Sequence, residues 1–316
     1  MGLYTIRIIE RLENQLGGQT REKFDLIAGT SVGAIIGLAL ASGVEARAIR
    51  EEFQRSGPIL FKKARTTHNF LQAVWRLAES LLSPTYNQRD LINVLDNMFP
   101  IGMTLNEMKT RVIVPVVNMT TGRPQIFKTP HHESIKLDHN RLVSDVAQAS
   151  SAAPTYFKLK QIDNQLFADG GLYANSPDLL AVHEAKNFVG VDEQDIYILS
   201  VGATSSTFST SHADGANWGL LQWTKRQRLT AAIIGAQQAS TDFMMLRDFG
   251  KRYKRIDSIQ SPQQQEVLSL DNASEAAQRD LLALADSAFQ SAVSDSEVNE
   301  FWDHDAQSAH PVSWSA

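Results

Sequence analysis

Apolar residues recur at helical spacing in several parts of the chain. Between residues 4 and 16 they follow one helical face, and the glycines at 17–18 end the pattern, which predicts a first helix. Similar patterns predict helices over 68–82, 216–248 and 273–293. Each predicted helix has an apolar face, so we expect each to pack against another element.

Short apolar runs, rich in β-branched residues, alternate with these helices. They lie at residues 24–28, 111–117, 125–128, 165–168 and 196–201, and each is short enough for a buried strand. Helices that alternate with short strands are typical of an α/β protein with a parallel sheet. We therefore predict an α/β fold with a largely parallel central sheet.

Composition narrows the classes of function. The 316 residues include 30 Lys and Arg against 35 Asp and Glu, a formal net charge of −5, which argues against binding of a nucleic-acid polymer. There is no cysteine, so disulfides, zinc–thiolate sites, iron–sulfur clusters and a thiol nucleophile are excluded. After about residue 294 the chain becomes polar and aperiodic, and we expect residues 294–316 to form a poorly ordered tail.

The sequence predicts a cytoplasmic protein whose membrane contact is peripheral, at the inner surface. No secretory signal opens the chain, and its longest apolar stretch, Val32–Ala41, is far shorter than the ~20 residues that span a bilayer. Basic clusters at 225–228 and 251–255 are either solvated faces or contacts for anionic lipid headgroups. The helix predicted over 68–82 is either a core helix or an interfacial lid.

Residues 29–33 read Gly-Thr-Ser-Val-Gly between a predicted strand and a predicted helix. A sharp strand-to-helix turn exposes a serine hydroxyl and points a helix N-terminus at a developing oxyanion. The turn leaves little room for Cβ atoms, which explains the flanking glycines. Ser31 is thus a candidate nucleophile, in a turn completed by Gly29, Thr30, Val32 and Gly33. The alternative is a helix-packing run, because glycine recurs at 29, 33 and 37. The glycine spacing and the absence of a nearby Lys exclude a phosphate-binding loop.

A second candidate residue, Asp169, ends a predicted strand and precedes Gly170 and Gly171. An Asp-Gly pair commonly forms a turn. A carboxylate at the end of a strand is also a candidate base for a serine. The residues alone leave both interpretations open.

Three segments, in this order, resemble the patatin-like phospholipase family. They are residues 29–33, the segment 148–157 (Gln-Ala-Ser-Ser-Ala-Ala-Pro-Thr-Tyr-Phe) and the Asp-Gly-Gly of 169–171, which Asn175 and Pro177 continue. The resemblance covers about residues 2–205. It implies a three-layer α/β sandwich, with residues 1–293 as one hydrolase domain.

The resemblance also implies a chemistry. Members of the family are lipid acyl hydrolases that cleave carboxylic ester bonds, as a phospholipase A does, through a Ser–Asp dyad and an acyl-enzyme. Carried over to this chain, Ser31 is the nucleophile and Asp169 is the base. The substrate is then a phospholipid or another lipid ester, and no metal or organic cofactor is implied.

Two other functions stay open. His183 follows Asp169 and would complete the Ser–Asp–His triad of another serine esterase or thioesterase. The second open function is that of a non-catalytic or effector-gated protein on the same scaffold. Some similar bacterial proteins are activated by a nucleotide second messenger in antiphage defence. Nothing in the sequence identifies a nucleotide site. For His131–Glu133, a solvated turn is favoured over a metal site because these residues lack helical spacing.

One departure from the family pattern concerns the N-terminus. The family begins with a strand and a Gly-Gly-Gly-x-Arg/Lys-Gly loop that supplies the oxyanion donors, and Gly2 matches only the last glycine of that loop. Either the chain starts inside a longer protein, or this is a form without its oxyanion loop. In either case we expect the 316-residue form to be nearly inactive and less stable than a version with the loop restored.

Overall fold

A computed structural model describes residues 1–61, 85–204, 215–219, 222–223, 228–268, 272–294 and 296–307. The helix predicted over 68–82 lies outside the described residues, as does most of the basic cluster at 225–228. Among the described residues, no helix is both long and apolar enough to cross a membrane.

Helices and strands alternate along most of the chain, as the sequence predicts. The helices are α1 Gly2–Leu16, α2 Thr20–Lys23, α3 Val32–Ser42, α4 Ala46–Leu60, α5 Gln88–Met98, α6 Val143–Ser150, α7 Asp178–Glu184, α8 Arg228–Phe249, α9 Pro262–Val267, α10 Glu275–Val293 and α11 Ser296–Trp302. The strands are β1 Leu26–Ala28, β2 Arg111–Asn118, β3 Arg123–Lys128, β4 Lys160–Ile162, β5 Gln165–Asp169, β6 Ile198–Val201 and β7 Tyr253–Ile256.

The central sheet has five strands in the order β1-β2-β5-β4, with β3 paired to β2. The α/β class is confirmed, but the strand directions are more mixed than the largely parallel sheet predicted. β1 is parallel to β2, whereas β2–β3, β2–β5 and β4–β5 are antiparallel. The physical reason is the length of the connections, since the short links β2–β3 and β4–β5 join only antiparallel neighbours. β6 and β7 form a separate parallel pair.

Strand β2 carries two strands along one of its edges. β3 pairs with residues 113–118 on the other edge, so β1 and β5 share the remaining one. β1 pairs with its first residues, up to Ala28 opposite Ile113, and β5 pairs with its last ones, where Asp169 lies opposite Val116. Because β1 and β5 run in opposite directions, their C-terminal ends point toward each other.

Helices pack against this sheet and against one another, consistent with a three-layer sandwich. α3 and α6 pack against β2, and α1 packs against α4 and α10. Residues 34–41 of α3 are all buried, which explains why this helix is apolar on every side. The helix that follows the candidate nucleophile is therefore a fixed part of the core.

Within the described residues 296–307, helix α11 is packed, contrary to the poorly ordered tail predicted from residue 294. α11 buries Val298, Phe301 and Trp302. The Trp302 ring meets Phe24 edge-on, and its indole N–H donates a hydrogen bond to the Gly17 carbonyl. The packing of Trp302 on Phe24 explains the difference from the prediction, because apolar burial against the N-terminal part of the chain orders an otherwise polar segment.

Candidate active site

Ser31 occupies the sharp turn between β1 and α3. Its backbone has φ 57° and ψ −126°, a conformation that a residue with a Cβ rarely adopts. Such a conformation costs about 1–3 kcal/mol and persists only where neighbouring contacts hold it. The turn that the sequence predicts is therefore present, and its most strained residue is the candidate nucleophile.

The two glycines of this turn have different roles. A Cβ on Gly29 would lie 2.1 Å from the Gly33 carbonyl oxygen, so only glycine fits at position 29. A Cβ on Gly33 would meet no atom of the described residues within 4 Å. The expectation that the turn needs both glycines is thus right for Gly29 and wrong for Gly33. Gly37 serves helix packing, because a Cβ there would lie 3.1 Å from the Ile27 side chain.

Asp169 ends β5 next to this turn, so the fold brings the two candidate residues together. The carboxylate is buried, with 5% of the residue exposed. It accepts a hydrogen bond from the Gly171 N–H at 2.7 Å, and the Ser31 hydroxyl lies close enough to favour its charged form. Burial raises the pKa of Asp169 to about 6, and the Gly171 N–H and the Ser31 hydroxyl limit the rise.

The glycines after Asp169 let the backbone approach its neighbours closely. A Cβ on Gly170 would lie 2.2 Å from the Pro115 carbonyl oxygen of β2. A Cβ on Gly171 would lie 3.1 Å from Oδ1 of Asp169, the atom that the Gly171 N–H binds. The Asp-Gly-Gly segment is therefore a turn former and also the holder of a buried carboxylate.

Further hydrogen bonds connect the turn to its surroundings. The Thr30 hydroxyl donates to the Ala174 carbonyl at 2.6 Å, which ties the turn to the segment after Asp169. The Ser31 N–H donates to Oγ of Ser150 at 3.0 Å. Sequence reasoning did not single out Ser150, although it lies in the segment 148–157 that carries part of the family resemblance.

Gly2 and Val32 lie against each other beside the turn. Gly2 begins α1, and a Cβ on it would lie 2.4 Å from Cγ2 of Val32 and 3.0 Å from the Phe53 ring. The contact explains why glycine is suited to position 2. A role for Gly2 in oxyanion binding stays a prediction.

The candidate histidines lie elsewhere. His183 is exposed on α7, where its Nδ1 lies 3.1 Å from Nδ2 of Asn187. His131 is buried, and its Nε2 lies 2.9 Å from Oε1 of Glu184, so the expected solvated turn is wrong for His131. The two residues meet because α7 packs over the loop after β3. Within the described part of the chain, no cluster of three His, Asp or Glu side chains suits a metal ion.

A strained serine beside a buried aspartate, where two strands of an α/β sheet end, is an arrangement suited to serine hydrolases. The patatin-like phospholipase family matches residues 1–182. A cGAMP-activated phospholipase of Pseudomonas aeruginosa is 37% identical over 308 residues, which cover 96% of this chain and 89% of the relative. One of Vibrio cholerae is 34% identical, with coverages of 86% and 82%. Patatin-like protein 2 of Arabidopsis thaliana is 28% identical, with coverages of 77% and 67%.

The chain therefore belongs to the patatin-like phospholipase family, and the resemblance seen in the sequence is confirmed. Family membership identifies it as a lipid acyl hydrolase, a carboxylic ester hydrolase.

Proposed function

We propose that this protein cleaves lipid esters through an acyl-enzyme on Ser31, with Asp169 as the base. The observation that carries the proposal is the strained Ser31 turn beside the buried Asp169 carboxylate, whose pKa the Ser31 hydroxyl lowers. Oγ attacks the acyl carbonyl while Asp169 takes the serine proton, and the departing alcohol then receives that proton. Asp169 next deprotonates a water molecule, which hydrolyses the acyl-enzyme and releases the fatty acid and Ser31.

The environment of Asp169 supports this role. An ordinary aspartate is a weak base, whereas burial raises the pKa of Asp169 to about 6, closer to neutral pH. The position of His183 favours the dyad over a triad, because this side chain is exposed and contacts Asn187 and Phe188.

Covalent labelling tests the nucleophile. A fluorophosphonate probe, applied with and without cGAMP, should label the full chain on Ser31, as read by mass spectrometry of peptides. Ser31→Ala should abolish both labelling and hydrolysis of a short-chain phospholipid. His183→Ala is the matched control and should keep both. Labelling of a different serine, or loss of hydrolysis in His183→Ala, would contradict the dyad.

We further propose that a cyclic dinucleotide activates the enzyme. The support is the similarity, across most of the chain, to two proteins named cGAMP-activated phospholipases. Phospholipid hydrolysis should rise on addition of cGAMP and stay at its basal level with 5′-GMP and 5′-AMP. Equal hydrolysis with and without cGAMP, by an enzyme that labels on Ser31, would contradict activation and leave the dyad intact.

We propose that helix α8 meets the lipid surface. Its Gln237 side chain donates a hydrogen bond to the Leu172 carbonyl at 2.7 Å, directly after the Asp-Gly-Gly segment. An α8 face, defined by four large apolar side chains, is open to solvent: Leu229, Ile233, Phe243 and Leu246. Exposed apolar area beside the site of a lipid hydrolase suits an interfacial contact.

Vesicle binding tests the α8 face. Phe243→Ser combined with Leu246→Ser should weaken co-sedimentation with phosphatidylcholine–phosphatidylglycerol vesicles and leave hydrolysis of p-nitrophenyl butyrate unchanged. Leu137→Ser is the control, because Leu137 is an even more exposed leucine on a loop outside α8. Unchanged vesicle binding with a change in oligomeric state would instead assign the α8 face to a second copy of the chain.

A further inference from the structure

Ser150, the last residue of α6, bridges the nucleophile turn and the central sheet. Ser150 is completely buried, with 0% of the residue exposed. Its Oγ accepts the Ser31 N–H at 3.0 Å and donates to the Pro115 carbonyl of β2 at 2.9 Å. One hydroxyl therefore satisfies a donor and an acceptor, which alanine at this position would leave unpaired.

The Pro115 carbonyl lies where the sheet is interrupted. β1 ends opposite Ile113 and β5 ends opposite Val116, so neither strand pairs with Pro115 along this edge. The Ser150 hydroxyl supplies the hydrogen bond that a continuous strand would otherwise give to this carbonyl. The bridge thus starts from the short stretch of β2 that lies between the ends of β1 and β5.

The same end of α6 also holds Asp169. The Asp169 N–H donates to the Ala152 carbonyl at 3.1 Å. The backbone amides of Ser31 and Asp169 are therefore both anchored on residues 150–152, one through a side chain and one through a carbonyl. A shift of this segment would change the separation of the two reacting groups.

We propose that Ser150 is a positioning residue that holds Ser31 in its strained conformation, with its hydroxyl against Asp169. The inference rests on the proposed Ser31–Asp169 dyad. The strained backbone of Ser31 needs a partner to persist, and its own N–H is held by Oγ of Ser150. Without that hydrogen bond the turn relaxes, and the Ser31 hydroxyl moves away from the carboxylate.

The neighbouring serine provides a matched control. Ser151 is buried as well, but its Oγ has no hydrogen-bond partner within the described part of the chain. Ser150→Ala and Ser151→Ala therefore remove the same atoms from adjacent buried positions. Only the first substitution breaks the bridge.

The test measures the rate constant for fluorophosphonate labelling of Ser31 in the full chain, with cGAMP present, at a temperature where circular dichroism reports every variant folded. Ser150→Ala should slow labelling by about 10–100-fold, because small misplacements of a reacting group cost this much. For p-nitrophenyl butyrate, kcat should fall while KM stays unchanged. Ser151→Ala should keep both constants.

The pH dependence of labelling separates positioning from a purely structural role. The Ser31 hydroxyl lowers the pKa of Asp169, so its displacement should move the acid limb of the profile above its wild-type midpoint. Ser151→Ala should leave the midpoint in place. If Ser150→Ala does not fold, Ser150→Cys fills the site, weakens both hydrogen bonds and should change rate and midpoint in the same directions.

Two results are informative in different ways. Equal labelling rates and midpoints for wild type, Ser150→Ala and Ser151→Ala would overturn the positioning role and leave the dyad standing. Absence of labelling on Ser31 in the wild-type protein would overturn the dyad itself.

Discussion

The pKa values of two buried carboxylates, Asp169 and Glu184, are shifted in opposite directions. Asp169 is 5% exposed and Glu184 is 0% exposed. Burial raises the pKa of Asp169 to about 6. Burial also opposes the charge of Glu184, but hydrogen bonds from His131 and Lys128 and the positive charge of Lys128 leave the pKa of Glu184 below its usual value.

The difference lies in the partners rather than in the depth of burial. Asp169 has two neutral neighbours that favour its charge, the Gly171 N–H, which donates a hydrogen bond to it, and the Ser31 hydroxyl. Glu184 faces Lys128, whose ammonium group also lies 3.7 Å from the centre of the Phe188 ring. A carboxylate with only neutral donors keeps its affinity for protons and can act as a base, whereas a paired one is fixed as an anion.

The largest expected effect is on catalysis. Asp169→Asn should lower phospholipid hydrolysis by about 10²–10⁴-fold, because it keeps the shape of the side chain and removes the proton acceptor. Glu184→Gln, normalised to folded protein, should keep hydrolysis within a few-fold of wild type. A steady-state assay with cGAMP measures both. Equal losses in the two variants would erase the distinction between these carboxylates.

The second effect is on stability. Glu184→Gln should lower the free energy of unfolding by about 3 kcal/mol, because it leaves the buried ammonium of Lys128 without its anion. Urea denaturation at pH 7 measures it. Lys128→Met with Glu184→Gln is the control, since removal of both charges should recover part of the loss. A single variant as stable as wild type would show that the pair is already solvated.

Asp169→Asn should change stability in the direction opposite to Glu184→Gln. The folded pKa of Asp169, about 6, exceeds the ordinary value of 3.8, so the stability it contributes is present below pH 3.8 and is lost as pH rises through 6. At pH 8 the wild-type protein carries the full cost of an ionised buried group, about 3 kcal/mol, which asparagine avoids. Asp169→Asn should thus melt higher than wild type at pH 8, with a smaller difference at pH 5. A lower melting temperature at pH 8 would mean that the ionised carboxylate is stabilised by its surroundings.

The smallest expected effect concerns the pH profile of Ser31 labelling rather than a loss of activity. The rate of Ser31 labelling should rise with pH through a midpoint of about 6, as Asp169 loses its proton. Glu184→Gln should leave this midpoint unchanged, because Glu184 belongs to a different cluster. A stopped-flow or quenched labelling series from pH 4.5 to pH 8, a range set about that midpoint, measures it. A midpoint near 4 would mean that Asp169 is solvated like an ordinary aspartate.

Local signals account for what the sequence predicted well. Neighbouring residues in the sequence predict β1, the turn at Ser31 and the buried helix after it. The same holds for the Asp-Gly-Gly segment. The antiparallel β2–β3 pair was also within reach, because the turn at residues 121–124 between two strands implies a hairpin. The overall alternation of helices and strands favours parallel neighbours, but this local turn makes β2 and β3 antiparallel.

Contacts between distant residues account for what was missed. Ser150 reads as one small residue among several, and its role depends on Pro115 and Ser31, which only the fold brings to it. The pairing of His131 with Glu184 likewise joins β3's following loop to α7. Packing of Trp302 onto Phe24 orders a segment whose polar composition alone predicts disorder.

The arrangement of β1 and β5 along one edge of β2 has a consequence for how the dyad tolerates change. Ala28, the last residue of β1, and Asp169, the last residue of β5, are set apart by the stretch of β2 from Ile113 to Val116, about 10 Å of extended backbone. The main chain of this stretch therefore sets the distance between the ends of the two strands. A single-residue deletion within this stretch would shorten it by about 3.4 Å. It would also turn the side chains on one side of the deletion to the opposite face of the sheet. The catalytic geometry is therefore more sensitive to a change in the length of this stretch than to a conservative substitution within it.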